Sequence, residues 1–341
     1  MSPNAMLSPR EHDVLHQIVH RFVQSAVPVA SKSLAQHDGL AVSPATIRNA
    51  MSALEQKGYL EHPHTSAGRV PTQLGYRYFV DSLLTIPSLT SQEQSALDTV
   101  SDALPESLDD AVQQGARLLA KLSHTLAVVV APKLSDAVFR SMDCVSLSST
   151  RLLVVLTVDS GLLRTVTMEV RSDIQRSDLE RVTSVLNERL SGRRLSHIAT
   201  NIRLMLNEDV ALDRTGLLRI LIDRADMLFE DRRVRRIHVG GVEYLALHPE
   251  FTDLDRYKGL IECLEDQSTI VHLLEDQAPD ARLSVRIGTE HQTPGLEECS
   301  MVSMPYSIGS TRGTIGLVGP KRMDYPRMMA LVHQLAARFN Q

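Results

Sequence analysis

An α+β chain is predicted, with a winged helix-turn-helix at its N-terminus and then an α/β sheet domain that a mainly helical segment interrupts. Three stretches carry that prediction. Residues 43–72, SPATIRNAMSALEQKGYLEHPHTSAGRVPT, have the pattern of a capped helix running into a hairpin. Between about 126 and 170 short β-branched runs alternate with turn residues, and similar runs return after 284. From Ser177 to about Glu230 the apolar period is helical instead. The expected segments are 1–88, 89–175, 176–255 and 256–341, the second and fourth forming one sheet domain and the third its insert.

Taken in order, the first element is a helix from about residue 9. Ser8, Pro9 and Glu11 supply a hydroxyl cap, a proline at the first position and an acid at the third. Val14, Leu15, Ile18, Val19, Phe22 and Val23 make one apolar stripe, and Pro28 stops it. Ser31 can cap a short second helix, KSLAQHD, ended by Gly39. Ser43 then caps a third helix with Pro44 at its first position, and Gly58 supplies the left-handed residue that ends it. Three helices in about fifty residues is helix-turn-helix spacing.

In the third helix Ile47, Ala50, Met51 and Leu54 face inward, so Ala45, Asn49, Ser52 and Gln56 point the opposite way, flanked by Arg48. A merely solvated helix face is usually filled with Glu and Lys. Small and amide side chains instead suit close approach to base edges, where Asn can bond an adenine and Arg a guanine or phosphate. Ser43 and Thr46 complete the candidate set at the helix start. Beyond Gly58, Tyr59 and Leu60 begin a strand and Val70 starts its return, so HPHTSAGR is the hairpin between them. Its His64, Thr65 and Ser66 offer short donors to a DNA backbone, and Arg69 can reach a phosphate or a narrow minor groove. By itself such a loop is ordinary solvent-exposed chain; its place directly after the third helix favours a wing.

Whole-chain properties limit the functional classes. At 341 residues, with 43% hydrophobic and 23% charged residues, a globular protein of two or three domains is expected. No run of about twenty apolar residues and no signal-peptide pattern occurs, so the expected location is the cytoplasm, without membrane insertion. Cys144, Cys263 and Cys299 lack CxxC spacing, which suits reduced thiols and neither a disulfide framework nor a zinc site. A net charge of −5 argues against non-specific coating of nucleic acid but leaves room for a local DNA-reading module.

The run SPATIRNAMSALEQKGYLEHPHTSAGRVPTQLGYRYFVDSL resembles the N-terminal signature of the HrcA family of heat-inducible transcription repressors, in its TIRN helix, its PHTSAGR hairpin and its P-T-x-x-G-Y-R continuation. VRIGTEH and CSMVSMPYSIGSTRGTIGLVGPKRMDYPRMM resemble that family's C-terminal block, with departures at His291 and at VGGVEYL. The resemblance implies a GAF-like sheet domain with an inserted dimerisation domain. It also implies a homodimer binding an inverted-repeat operator, CIRCE, ahead of chaperone operons. Repression would be supported by the GroE chaperonin and relieved when heat-damaged proteins occupy it, and bound protein would sit on the nucleoid.

Beyond residue 72, Leu74, Tyr76, Phe79, Val80, Leu83 and Leu84 read as a connecting helix with Tyr76 in the core. Pro87, Ser88, Thr90, Ser91 and the acidic stretch Asp98 to Asp110 read as a linker. A helix, LDDAVQQGARLLAKLSHTL, precedes the strand AVVVAP, and strands follow at FRSMDCVSLSS and RLLVVLTVDSG, the latter turning at Asp159-Ser160-Gly161 into LLRTVTMEV. The cluster Arg232, Arg233, Arg235 and Arg236 lies beside Glu230 and Asp231 and reads as a solvated helix end. Glycines 309, 313, 316 and 319 run through a strand pair, which is not the order of a phosphate loop. Histidines 12, 16, 20, 37, 62 and 64 crowd the N-terminal segment without metal spacing. No catalytic, cofactor or metal residue is expected. The competing class is a ligand-responsive sensor or enzyme carrying an accessory winged helix, or a repressor that senses heat through its own fold.

Overall fold

The structure is a computed structural model. It describes residues 7–35, 43–63, 68–83, 85–103, 108–170, 174–213, 215–230, 237–251, 261–262, 266–275 and 283–340. The N-terminal unit begins with α1 (Pro9–Ser25), whose capping box forms as its sequence dictates: Glu11 N–H donates to the Ser8 hydroxyl and the Glu11 carboxylate accepts from Ser8 N–H. The helix ends on Ala26 in the left-handed region, two residues before Pro28. α2 (Ser31–Ala35) and α3 (Pro44–Gln56) follow, and the expected end of α2 near Gly39 lies outside the described residues. β1 (Leu60–Glu61) and β2 (Val70–Pro71) pair antiparallel. α4 (Gln73–Tyr78), capped by Thr72, continues into a π-helical turn, Phe79–Leu83.

α5 (Ser91–Ala103) corrects the linker reading. Thr90 and Glu93 form a reciprocal cap, and Leu97 and Val100 are fully buried, so a stretch whose acids suggested solvated chain is an amphipathic helix. α6 (Leu108–Ser123) and the C-terminal helix Tyr325–Phe339 pack beside it on one face of a five-stranded antiparallel sheet. That sheet has the order β7-β3-β10-β9-β8, with β3 (Leu126–Val130), β7 (Ile237–Gly240), β8 (Ser284–Ile287), β9 (Cys299–Ile308) and β10 (Thr311–Pro320). All five residues of β3 are buried, because both faces of the sheet are covered. Leu245, Phe251, Ile270, Leu273 and Leu274 close the second face. β7 is a strand that the sequence-based expectation does not include.

β4 (Phe139–Ser148), β5 (Arg151–Val158) and β6 (Leu163–Glu169) form a separate three-stranded sheet. On β5, strict alternation sends Leu152, Val154, Leu156 and Val158 inward. They share a core with α7 (Arg176–Leu190), α8 (Leu195–Met205), α9 (Leu217–Asp223) and α10 (Ala225–Phe229). The second unit therefore runs from about 137 to 229, and its strands belong with the helices that follow them. The sequence-based division at 176 and 255 separated them, because alternation reveals that one face is buried without revealing what covers it. His291 is buried, and its Nε2–H donates to the Cys299 carbonyl at 3.3 Å.

Candidate nucleic-acid interface

α3 is fixed at both ends by its own sequence. The Ser43 hydroxyl accepts from Thr46 N–H at 3.2 Å and meets the Thr46 hydroxyl at 2.9 Å. At the other end Gly58, at φ +80°, lets its N–H reach Glu55 O and lets Tyr59 N–H reach Leu54 O, a Schellman arrangement. Ile47, Met51 and Leu54 are buried with Val14, Leu15, Ile18 and Val19 of α1 and Leu34 of α2. Ala45, Arg48, Asn49 and Gln56 are exposed, and Thr46 and Ser52 are half-buried. Positions 45, 49, 52 and 56 recur every three or four residues, so they form one stripe with Arg48 along its edge. Arg48 makes no hydrogen bond or ion pair with the described residues. The stripe offers an amide that can donate and accept together and a guanidinium with parallel donors, both suited to base edges.

Ion pairs hold this helix against its neighbours. Lys57, just past α3, donates to both oxygens of Glu11 at 2.7 and 2.9 Å, joining the end of α3 to the start of α1. Those bonds, followed by the Ser8 N–H, hold the Glu11 carboxyl below the usual carboxylate range. Arg21 donates to Ser33 O at 2.6 Å and ties α1 to α2. On α1, burial pushes the His16 imidazole down first, and the neighbouring His20 and His12 act in the same direction.

The structure separates the candidate residues. Of the α3 set, Ala45, Arg48, Asn49, Ser52 and Gln56 share one face, with Ser52 half-buried and Ser43 and Thr46 at the helix start, whereas His64, Thr65 and Ser66 lie outside the described residues. Arg69 does not reach outward: its side chain is 17% exposed and its Nη2 lies 2.7 Å from Glu55 Oε2. The basic cluster 232–236 also lies outside the described residues. Sequence reading missed Glu55, Lys57 and Gly68 as parts of the site's frame. The Ser8/Glu11 capping signal was visible; the long-range partner of Glu11 was not.

Among the described residues no group of three His, Cys, Asp or Glu is placed to hold a metal ion. A shallow groove beside Cys144 runs between β4 and α7, but burial raises the Cys144 thiol, the opposite of an activated nucleophile. No described helix is long and apolar enough to cross a membrane.

A family model described as "HrcA protein C terminal domain" matches residues 109–329, and full-length relatives agree with it. The heat-inducible transcription repressor HrcA of Chlorobium phaeobacteroides (strain BS1) is 38% identical, with 98% of this chain and 97% of that protein covered. The chain belongs to the HrcA family. A second HrcA, from Chlorobium chlorochromatii (strain CaD3), is 39% identical over 97% of this chain and 95% of its own length. These HrcA relatives are transcription repressors and not enzymes. A crystal structure described as a hypothetical protein at 2.2 Å resolution has a similar fold, with TM-score 0.66, 25% identity and 98% of both chains covered.

Proposed function

We propose that this HrcA-family chain is a sequence-specific repressor of heat-shock chaperone operons, binding the inverted-repeat CIRCE operator as a homodimer and releasing it under heat stress. The observation that carries the proposal is the exposed stripe on α3, small and amide-rich on a helix whose opposite face and both ends are fixed. α1 to α3 with β1 and β2 act as a winged helix-turn-helix, and α3 enters the major groove. Asn49 bonds a base edge, Arg48 bonds a guanine or a phosphate, and Ala45, Ser52 and Gln56 line the approach. Ser43 and Thr46 present the N-terminal turn of α3 to the DNA backbone.

Few phosphate contacts are available. Residues 1–88 carry seven Lys and Arg against six Asp and Glu, and Lys57, Arg69 and Arg77 are in ion pairs. Discrimination then rests on base contacts and on presenting two heads at once, roughly 34–36 Å apart or a multiple of it. The second unit and the five-stranded sheet, read as a dimerisation insert and a GAF-like domain, hold that spacing, and the GroE chaperonin acts as modulator of the folded repressor. Footprinting on the inverted repeat tests the reading: both half-sites should be protected together. Equal binding to the repeat and to a scrambled duplex overturns it.

A further inference from the structure

We infer that Arg69 is a positioning residue of the DNA-reading unit, fixing the hairpin to the end of α3 and to the turn between α1 and α2 instead of meeting a phosphate. The inference rests on the reading of α3 as the DNA-contacting helix and assigns a different role to the residue that follows the hairpin tip.

Three groups of observations converge on Arg69. Its guanidinium lies between two elements: Nη2 is 2.7 Å from Glu55 Oε2 on α3, and Nη1 is 2.7 Å from His62 Nδ1 just after β1. Arg cannot accept, so Nδ1 of His62 is the acceptor. Arg69 Nε is buried and has no hydrogen-bond partner among the described residues, so the guanidinium is turned inward against the unit. Its peptide forms a second attachment, because Arg69 and Val29 exchange both backbone hydrogen bonds at 2.9 Å as an isolated antiparallel bridge. The preceding Gly68 makes this approach possible. A Cβ there would lie 2.4 Å from the Val29 carbonyl carbon and oxygen, so any side chain would force the hairpin off the α1–α2 turn.

Electrostatics argues the same way. DNA affinity gained through counterion release requires net positive charge near phosphate. Arg69 is neutralised by a carboxylate in contact with it, and swinging out would leave Glu55 unpaired close to Gln56 on the reading stripe. A free Glu55 would repel phosphate. The pair thus does two things at once: it fixes the hairpin's angle to α3 and it cancels an acid beside the DNA face.

The test is fluorescence anisotropy of the full-length chain with operator and scrambled duplexes over a series of salt concentrations, using Arg69→Gln, Glu55→Gln, the double variant and Arg69→Lys. A positioning role predicts that both single Gln variants lose about tenfold in operator affinity. The double variant should be no weaker than either, because they break one interaction. The log–log salt slope of the double variant, which removes both charges together, should stay at the parent value. Arg69→Lys keeps the charge but cannot reach Glu55 and His62 together, so it should also weaken operator binding and, as the mildest change, covers the case in which Arg69→Gln does not fold. A double-variant slope shallower by about 2, for two wings per dimer, overturns the inference, as does operator binding by Glu55→Gln at or above the parent's strength. So does Arg69→Lys binding as the parent does. If the parent itself fails to distinguish operator from scrambled DNA, the DNA-reading proposal falls, a result separate from any ranking of the variants.

Discussion

The outward stripe of α3 and the joint where α4 meets the sheet make opposite use of polar side chains. On the stripe, Arg48 and Asn49 are exposed and have no side-chain partner among the described residues. At the joint, Arg77 bonds both Glu290 oxygens and donates to Val285 O at 2.7 Å, while Gln73 Oε1 accepts from Thr289 N–H at 3.0 Å. Arg322 reaches back from the loop after β10, donating to Val23 O at 2.8 Å and pairing with Glu250 at 2.6 Å. Buried Tyr76 lies beside buried Tyr325, ring centres 6.0 Å apart, and one apolar core runs from α1 through to the C-terminal helix. The helix face is left available, while the unit that carries it is held to the sheet by paired and buried groups. A change in the sheet domain therefore has a route to the exposed face of α3 through these paired groups.

The largest expected effect comes from breaking that joint. Glu290→Ala leaves a half-buried Arg77 without its main partner and should cost about 3 kcal/mol of stability, the low end for buried pairs because Arg77 is 26% and Glu290 31% exposed. Denaturant unfolding measures it, and hydrogen exchange should show the amides of α4 losing protection before those of β10. A loss within about 0.5 kcal/mol, with α4 still protected, would mean the joint does not hold the N-terminal unit in place.

Asn49→Ala tests the other side of the comparison. Operator binding should weaken by roughly 1–3 kcal/mol, with relaxed preference at one base pair, while the unfolding midpoint stays unchanged because Asn49 is exposed and opposite the packed face. Unchanged selectivity would place the reading face elsewhere on the unit.

The same contrast explains what the sequence could reveal. Helix ends and faces are local: Ser8, Ser43 and Gly58 announced their roles, and the stripe followed from the spacing of Ile47, Met51 and Leu54. Strand existence was local too, since alternation marks β5 and the turn at 159–161 marks β6. Partnership was not. Arg77 and Glu290 are 213 residues apart in sequence, and Arg322 and Val23 are 299 apart. No period or cap connects them. For the same reason β4 to β6 were assigned to the sheet of β3, and the pairing of Arg69 with Glu55 on α3 was not legible. The acids that disguised α5 lie on its outer side, where Asp98 pairs with Arg338 of the C-terminal helix.

The smallest effect concerns Glu11, which joins α1 to α3 within the N-terminal unit and so contributes to holding the stripe in place. Lys57 first, and then the Ser8 N–H, lower its carboxyl below the ordinary value, so the unfolded chain binds this proton more readily than the folded one. Stability from the pair is therefore complete above the unfolded carboxylate's pKa and disappears as pH falls through the folded one. Glu11→Gln can keep the cap but not the charge, and should be less stable than the parent by about 1 kcal/mol at neutral pH. The gap should narrow on acidification and close once the parent's Glu11 is itself protonated. Unfolding curves for the two proteins between pH 7 and the acid range, at about 0.1 M salt, measure that gap. A constant gap would show that Glu11 acts through shape alone, and that the charge on Lys57 takes no part in orienting α3.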